Sequence, residues 1–300
     1  MLKIAFSPIY KYDLPENHRF PMIKYELLPE QMLYEGTVTD QNFFFPDALE
    51  DHLIQLTHSK DYIEKLNTQC LSPKEIRNIG FPMSDVLVLR GKHIANGTYL
   101  AAMHAIQTGI AMNIAGGTHH SFSDHGEGFC IFNDIAIAAN ILLNKNKVKK
   151  ILIVDLDVHQ GNGTANIFSN IPDVFTFSIH GEKNYPTRKE SSDFDIGMPD
   201  KCEDLYYLNC LKEVLPKLLD NVQPDFIFYL AGVDILESDK LGRLSISKQG
   251  CKERDRYVLQ LAKDNKIPIA VTMGGGYSPK IADIIDAHAN TFRLAQEIYF

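Results

Sequence analysis

The sequence predicts a single α/β domain, in which a mostly parallel β-sheet is sandwiched by helices. Short apolar runs rich in β-branched residues recur along the chain, at residues 4–6, 111–115, 151–154, 174–179, 226–230 and 267–272. Apolar runs without polar alternation are typical of strands that are buried on both faces, as in a parallel sheet between two helix layers. No internal repeat, linker or low-complexity tract divides the chain, so one domain over residues 1–300 is expected.

Helices are predicted between the strands from apolar side chains that recur three and four residues apart. Residues 208–218 show this spacing, with leucine at positions 208, 211, 215 and 218. Residues 281–292 repeat it through Ile281, Ile284, His288 and Phe292. The spacing places each set on one face of a helix that packs against the sheet.

Composition and charge exclude several classes of protein. The 300 residues are 45% hydrophobic and 23% charged, which is ordinary for a globular enzyme. The net charge of −8 predicts no direct binding to nucleic acid or to an anionic membrane. The lysine-rich segment 144–150 is expected to be a solvated loop rather than a phosphate site. No apolar run approaches the roughly 18 residues that a membrane span requires.

Cysteine usage and the start of the chain predict a cytoplasmic protein. The five cysteines are odd in number and include no Cys-x-x-Cys pair; they are Cys70, Cys130, Cys202, Cys210 and Cys251. This pattern indicates reduced thiols and excludes a disulfide scaffold or a cysteine-ligated zinc finger. Residues 1–6 are typical of a strand and do not have the layout of a signal peptide.

Candidate metal ligands follow the predicted strand 151–154. Strand alternation would put Asp155, Asp157 and His159 on one side, and three such groups on a buried strand are costly unless a divalent metal compensates them. Considered alone, the Asp-x-His pair fits a solvated strand end equally well. Asp234 lies just beyond another strand and supplies a third candidate ligand. Three protein ligands with a position left for water are the pattern of a catalytic zinc.

Adjacent histidines, His119 and His120, follow the predicted strand 111–115 after a Gly-Gly-Thr segment. A hydrogen-bonded pair in the core is one explanation. The glycines and the strand end favour the other, a proton-transfer dyad beside the metal. Asp155 and Asn162 are the candidate partners that would fix the tautomers of these histidines.

A glycine-rich turn with a tyrosine follows the predicted strand 267–272. Glycines at 274–276 let the backbone turn closely and leave Tyr277 free to place its phenol over the site. There the hydroxyl would donate a hydrogen bond to a developing oxyanion. A plain strand-to-helix turn with a packed tyrosine also explains this segment, but its position at a fourth strand end favours a role in the site.

In this order, these segments resemble the histone deacetylase superfamily, whose fold is similar to that of arginase. The motifs are Gly-Gly-Thr-His-His at 116–120, Gly-Phe-Cys at 128–130, Asp-Leu-Asp-Val-His-Gln-Gly-Asn-Gly at 155–163, Ala-Gly-Val-Asp at 231–234 and Gly-Gly-Gly-Tyr at 274–277. Residues 234–247 and 18–22 resemble class IV deacetylases in particular. The resemblance extends from about residue 18 to residue 278.

The resemblance implies specific roles for the residues of the site. Zinc would be held by Asp157, His159 and Asp234. His119 and His120 would form the dyad, with His120 as general base and later as general acid. Tyr277 would polarise the substrate carbonyl. A ligand set that mixes oxygen and nitrogen also accepts Fe²⁺ or Co²⁺.

The resemblance also implies a substrate channel and a second ion. Gly128 would offer its carbonyl to the substrate amide, and Phe129 and Tyr185 would wall an acyl-lysine channel, although both rings also fit simple packing. A structural potassium ion behind the zinc would be held by oxygen atoms of Asp155, Asp157, His159, Ser178 and Ile179.

The sequence departs from class I enzymes of the family at two places. Asn162 stands where they have an Asp, so an amide would orient His120 and stabilise its imidazolium less than a carboxylate does. Residues 80–83 lack the rim Asp that holds the substrate backbone, so weak peptide anchoring is expected. Of the remaining polar residues near the motifs, His125 and His180 are expected in loop roles rather than as ligands. A position in a solvated loop is favoured for Glu127, with a place at the mouth of the site as the alternative.

The predicted function is a zinc-dependent amidohydrolase that removes acetyl or longer fatty acyl groups from the ε-amine of lysine in peptides or proteins. The class IV resemblance implies a preference for long acyl chains. A deacetylase of small amines such as acetylpolyamines is the nearest enzymatic alternative. An acyl-lysine binding module without turnover is another, against which the complete residue set argues. A ureohydrolase with two manganese ions is disfavoured because residues 161–163 lack the further Asp that it needs.

Overall fold

The computed structural model describes residues 1–16 and 18–300 and is built on one eight-stranded sheet. Its strands are β1 Lys3–Ala5, β2 Phe43–Phe44, β3 Ile110–Asn113, β4 Ile151–Asp155, β5 Val174–Gly181, β6 Phe194–Met198, β7 Phe226–Leu230 and β8 Ile269–Thr272. Their order across the sheet is β2-β1-β3-β8-β7-β4-β5-β6, and each described pair is parallel. The predicted α/β class is therefore confirmed.

Ten α-helices accompany the sheet in the described ranges. They are α1 Lys24–Tyr34, α2 Asp51–Ile54, α3 Lys60–Asn67, α4 Pro73–Ile79, α5 Asp85–Thr108, α6 Asp134–Asn144, α7 Asn162–Phe168, α8 Asp204–Val222, α9 Lys248–Asp264 and α10 Ile281–Tyr299. Every residue of β3, β4, β7 and β8 is buried, because helices cover both faces of the sheet there. None of the described helices is long and apolar enough to cross a bilayer.

The predicted elements match the structure with small shifts that have local causes. Helices α8 and α10 contain the runs predicted at 208–218 and 281–292. Strand β3 ends before residue 115, where the Asn113 side chain accepts a hydrogen bond from the backbone N–H of Ala115. Strand β8 begins at Ile269 because Pro268 has no N–H to pair.

Two edge strands were not predicted from the sequence. Strand β2 has two residues, which is too short to give a pattern. Strand β6 is mostly exposed and carries no continuous apolar run. Both lie at the outer edges of the sheet, away from the predicted site. The assignment of the whole chain to a single domain stays a prediction.

The sheet order brings the four motif-bearing strand ends together. Strands β3, β8, β7 and β4 are neighbours at the centre of the sheet. Since all four run parallel, their carboxyl ends meet at the same edge. The loops that follow them carry the His pair, Tyr277, Asp234 and the 155–163 segment. Ligand sites of open parallel sheets form at this edge, between the loops.

Candidate active site

Three buried side chains, Asp157, His159 and Asp234, form a cluster suited to a metal ion. One ligand atom from each lies within 4.8 Å of the others. Nδ1 of His159 is 3.0 Å from Oδ1 of Asp157 and 3.1 Å from Oδ2 of Asp234. The residues His159, Asp157 and Asp234 are 7%, 1% and 0% exposed respectively, so the cluster is shielded from solvent.

The route by which these ligands meet differs from the prediction. Strand β4 ends at Asp155, so alternation along a strand does not bring Asp155, Asp157 and His159 to one face. A tight loop does so instead, in which the backbone N–H groups of Asp157 and His159 donate to the carboxylates of Asp155 and Asp157, at 3.2 and 3.0 Å. Asp155 is directed toward His119 rather than into the cluster.

Glycines give the carboxylates of the cluster the room that they need. A Cβ atom on Gly275 would lie 1.9 Å from Oδ2 of Asp234, and one on Gly232 would lie 2.4 Å from Oδ2 of Asp157. The backbone N–H of Gly275 also donates to Oδ2 of Asp157 at 2.7 Å. The glycine turn after β8 therefore holds the carboxylates as well as carrying Tyr277.

The buried carboxylates of the cluster favour a positive charge between them. Burial and the neighbouring Asp157 raise the pKa of Asp234 to about 7. Burial acts to lower the pKa of His159, but hydrogen bonds to Asp157 and Asp234 outweigh it and raise that pKa to about 10. Two buried carboxylates in contact are stable only with a cation between them, either a proton or a metal. The donor set of two carboxylates and one imidazole fits a divalent metal such as zinc.

The histidine pair lies beside this cluster, and each ring has its own partner. Nδ1 of His119 is 2.7 Å from Oδ2 of Asp155, and Nδ1 of His120 is 2.7 Å from Oδ1 of Asn162. The two rings are 4.2 Å apart between centroids, and both are buried. The structure thus brings together all four residues that the sequence suggested for this dyad.

Their surroundings give the two histidines different pKa values. Burial, together with repulsion from His119 and His159, holds the pKa of His120 well below its usual range. Burial also acts to lower the pKa of His119, but the Asp155 and Asp157 carboxylates outweigh it and raise that pKa. A neutral imidazole at position 120 is in the form that accepts a proton.

Tyr277 faces the same space from the turn after β8. Its ring centroid is 6.2 Å from that of His159, and its backbone N–H donates to Oδ2 of Asp239 at 2.6 Å. Burial and the charges of Asp234 and Asp157 raise the pKa of the phenol well above its usual value. The hydroxyl therefore stays protonated and is available as a donor.

A cleft of about 240 Å³ leads from the surface to His120, His159 and Tyr277. Phe129 and Tyr185 line it, and the Tyr185 ring is 4.9 Å from that of His120. Their role as walls of an acyl-lysine channel stays a prediction. Gly128 has φ +57, and a Cβ atom there would lie 2.6 Å from Cδ2 of His120. Phe129 also packs against Phe20, at 5.5 Å between ring centroids, so its predicted packing and lining roles coexist.

Two arginines at the mouth of the cleft were missed by the sequence analysis. Arg19 and Arg77 both line it, and the Arg19 guanidinium lies 5.8 Å from the centre of the Phe129 ring. Among the described residues no Asp or Glu lines the cleft. The entrance is therefore cationic in a chain of net charge −8. No periodicity or motif marks these arginines, because they meet only in the folded chain.

The expectations for Glu127 and His180 are wrong, whereas that for His125 fits the structure. Glu127 is half-buried, and its Oε1 accepts a hydrogen bond from Nδ2 of Asn162 at 2.5 Å. His180 lies inside strand β5, buried and 2.9 Å from the hydroxyl of Ser178. His125 lies in a loop beside Asp124, at 2.6 Å. The loop that carries Glu127 covers a buried site, so its side chain is partly shielded from solvent although it lies in a loop.

Arg254 is a further residue that sequence reasoning missed. It lies on α9 and is fully buried, and its Nη1 donates to the carbonyls of Gly232 at 2.6 Å and Leu156 at 3.1 Å. Its charge is balanced by Asp255, at 2.7 Å. Arg254 thereby joins the two loops that carry Asp157 and Asp234. In the sequence it is indistinguishable from the charged residues on the solvated face of the same helix.

The proposed potassium ligands lie in neighbouring positions but their role stays a prediction. Asp155 pairs in register with Ser178 across strands β4 and β5, and Ile179 follows on β5. Asp157 and His159 lie in the loop directly after β4. Backbone and side-chain oxygen atoms of these residues would form the ion site.

The parallel sheet with the Asp/His/Asp cluster at its carboxyl edge has the architecture of the arginase-like α/β fold. The model for the histone deacetylase domain matches residues 18–292, and the chain belongs to the histone deacetylase family.

Sequence and structure comparisons agree with this assignment. An uncharacterized protein of Picosynechococcus sp. is 42% identical over 296 residues, covering 99% of both chains. Histone deacetylase 2 of Arabidopsis thaliana is 29% identical and covers 95% of this chain and 76% of its own. The crystal structure of an HDAC homolog complexed with SAHA has the same fold, with a TM-score of 0.83 at 24% identity over 97% of this chain and 82% of its own.

Proposed function

We propose that the protein is a zinc-dependent amidohydrolase that removes a short acyl group from the ε-amine of lysine in peptides or proteins. The observation that carries this proposal is the arrangement of the Asp157, His159 and Asp234 cluster, which faces His120 and Tyr277 at the base of one cleft. Metal, base and oxyanion donor are the three components that amide hydrolysis needs. The five free cysteines fit a cytoplasmic location, which is part of the proposal.

Zinc held by Asp157, His159 and Asp234 would polarise the acyl carbonyl and make water acidic enough to attack near neutral pH. The class IV resemblance and the potassium site are further parts of the proposal. Because the ligands are two carboxylates and one imidazole, Fe²⁺ and Co²⁺ remain alternatives to zinc that metal analysis would distinguish.

The side chains of the site would move the protons of the reaction. His120 takes a proton from the attacking water as the new C–O bond forms. Tyr277 donates a hydrogen bond to the carbonyl oxygen as it becomes an oxyanion. His120 then returns the proton to the lysine nitrogen as the C–N bond breaks, so the products are a carboxylic acid and a free ε-amine. The acid passes its remaining proton to the amine, which leaves a carboxylate and an ammonium group near neutral pH. His119 lies beside these steps, with its Nδ1 held by the Asp155 carboxylate.

The interior of the site supports a short acyl group. Beyond His120 and Tyr277 the cavity that reaches Gly117 and Gly274 has a volume of about 30 Å³. That is room for roughly two water-sized groups, which suits an acetyl group and excludes a long chain in this conformation. The preference for long chains that class IV resemblance implies stays a prediction, and it would require the aromatic side chains around Phe129 to move.

The charge at the mouth supports lysine peptides over acetylpolyamines. A polyamine carries several positive charges, and Arg19 and Arg77 stand at the entrance without a carboxylate in the described cleft lining. Such a substrate would be repelled, whereas an acyl-lysine has lost its own charge and is not. Deacetylation of small cationic amines is therefore the weaker alternative.

The experiment is turnover on a panel of acetyl-lysine peptides and acetylpolyamines, with and without a chelator. We expect peptide hydrolysis that a chelator abolishes and that added zinc restores. Tight binding of acetyl-lysine peptide without release of acetate would instead indicate a binding module. Faster turnover of acetylspermidine than of every peptide would assign the protein to small amines.

A further inference from the structure

Glu127 lies behind the histidine dyad, in the loop between β3 and α6. The loop is fixed by a backbone hydrogen bond from Cys130 to the Glu127 carbonyl, at 2.9 Å. The Glu127 side chain reaches Asn162 at the start of α7, and Asn162 in turn contacts His120. A continuous series of hydrogen bonds therefore runs from Glu127 through Asn162 to His120, over 2.5 Å and 2.7 Å.

The hydrogen-bond chemistry of this series permits one orientation of each group. An ionised carboxylate has no proton to donate, so the side-chain NH₂ of Asn162 must face Glu127. The amide oxygen of Asn162 then faces His120 and can only accept. Nδ1 of His120 must therefore carry the proton, which leaves the lone pair of Nε2 free for the reaction.

Without Glu127, Asn162 would not hold His120 in the tautomer that is protonated at Nδ1. An amide rotated by half a turn presents NH₂ to His120, and the proton of the imidazole would then move to Nε2. That tautomer cannot act as a base toward the site. His119 needs no such help because its partner, Asp155, is a carboxylate and can only accept.

We propose that Glu127 is a positioning residue that acts through Asn162 to hold His120 in the Nδ1-protonated tautomer. The inference rests on the proposed function, because it gives a task to the base of that reaction. Glu127 also supplies the negative charge that the amide of Asn162 lacks. In the series of hydrogen bonds it lies one group further from the His120 imidazole than Asn162 does. In this chain the pair Glu127 and Asn162 together replaces a single carboxylate.

A second contact of Glu127 requires a control. Tyr185 lies beside it on the cleft wall. Burial is the main cause that raises the pKa of the Tyr185 phenol, and the neighbouring Glu127 carboxylate raises it further. Loss of Glu127 would thus free Tyr185 as well as Asn162. Tyr185→Phe keeps the ring that lines the cleft and removes only the hydroxyl, so we expect any effect on KM, with kcat little changed.

The first test reads the tautomer directly and does not depend on turnover. In the zinc-loaded full chain labelled with ¹⁵N-histidine, the His120 signals are assigned by their loss in His120→Gln. We expect the Nδ1-protonated pattern in the wild type and a shift toward the Nε2-protonated form in Glu127→Ala. An unchanged His120 pattern in Glu127→Ala would overturn the proposal.

The second test exchanges the two groups. We expect Glu127→Gln to lower kcat by about 10- to 100-fold with KM nearly constant, the range typical of partners that orient a site residue. Asn162→Asp would place two carboxylates in contact and should also lose activity. In the double variant the new amide at position 127 can donate to the new carboxylate at position 162, which in turn accepts from His120. Its kcat should therefore return to within roughly threefold of the wild type.

Controls separate this proposal from a structural effect and from the proposed function. Zinc content and melting temperature are measured for every variant, and Glu213→Gln on the exposed face of α8 serves as the matched charge-removal control. If kcat of the double variant were no higher than kcat of the less active single variant, the proposed pairing of positions 127 and 162 would be refuted. If the wild type hydrolysed no acyl amide the proposed function would fail, whereas the tautomer measurement would still decide the role of Glu127.

Discussion

Nδ1 of His119 lies 2.7 Å from Oδ2 of Asp155, and this buried contact distinguishes His119 from the adjacent His120. Asp155 favours the charged form of His119, whereas the amide of Asn162 offers His120 no full charge. The Asp155 and Asp157 carboxylates raise the pKa of His119 against the effect of burial, whereas burial and repulsion from His119 and His159 lower the pKa of His120. Two neighbouring residues of the same type thus acquire opposite pKa shifts from their different surroundings.

Removing a metal ligand should cost the metal and the activity while leaving most of the fold. We expect Asp157→Ala, His159→Ala and Asp234→Ala each to lose bound zinc, because three protein ligands leave no redundancy. Elemental analysis and circular dichroism measure the two effects. Asp220→Ala, on the exposed side of α8, is the control. Stoichiometric zinc retained by Asp157→Ala would rule out the proposed ligand set.

Tyr277→Phe should lower kcat by about 10²- to 10³-fold with KM nearly unchanged, because it removes one donor to the oxyanion and keeps the ring. Steady-state kinetics on an acetyl-lysine peptide measure both constants. Tyr206→Phe, at an exposed position on α8, should match the wild type. A rise in KM alone would make the phenol a binding contact instead.

Turnover should fall as the acyl chain becomes longer than acetyl. The inner cavity of about 30 Å³ leaves no room for additional methylene groups. We expect kcat/KM to fall from acetyl- to octanoyl- to myristoyl-lysine peptides of one sequence. A steep rise along this series, at roughly 0.8 kcal/mol for each buried CH₂, would show that the site opens and would support the long-chain preference.

The cationic mouth should discriminate against positive charge next to the acyl-lysine. We expect acetylspermidine and peptides with flanking lysines to be poor substrates, and this penalty to weaken at high salt. Arg77→Ala and Arg19→Ala should each relax the penalty by about fivefold, which corresponds to roughly 1 kcal/mol. Lys217→Ala, remote on α8, should leave it intact. Equal kcat/KM for acidic and basic flanks would contradict this role of the arginines.

The ion pair that joins α1 to α10 should make stability depend on pH in a defined direction. Arg293 donates to both carboxylate oxygens of Glu35, at 2.8 and 2.6 Å, and chiefly this bond lowers the pKa of Glu35 to about 2. A lowered pKa stabilises the fold above the unfolded-state pKa of about 4.5, and the contribution is lost as pH falls from there toward 2.

Glu35→Gln should therefore lower Tm at pH 7 by about 2–4 °C, for roughly 1 kcal/mol, and by much less at pH 3. Thermal unfolding at the two pH values measures the difference, and Glu30→Gln, exposed on the same helix, is the control. The same decrease in Tm at both pH values would show that the charge of Glu35 is not responsible.

The sequence alone determined the central strands of the sheet and the residues at their carboxyl ends. The predicted strand 226–230 coincides with β7. The predicted site residues follow the ends of strands, as expected from the sequence; they are the glycine segments, the His pair, Asp234 and Tyr277. These features are local: each strand has its own apolar run, and each motif directly follows its strand. Parallel pairing then gathers the strand ends at one edge, whatever the details of packing.

Only the tertiary structure decided which distant polar groups support that edge. Glu127 meets Asn162 from 35 positions away, and Arg254 reaches Leu156 from 98 positions away. The arginines at the mouth likewise come from separate segments. Burial and hydrogen bonding, rather than residue type, set the roles of these side chains. Sequence periodicity reports the neighbours within one element, whereas the environment of a charged group is set by elements that approach each other only after folding.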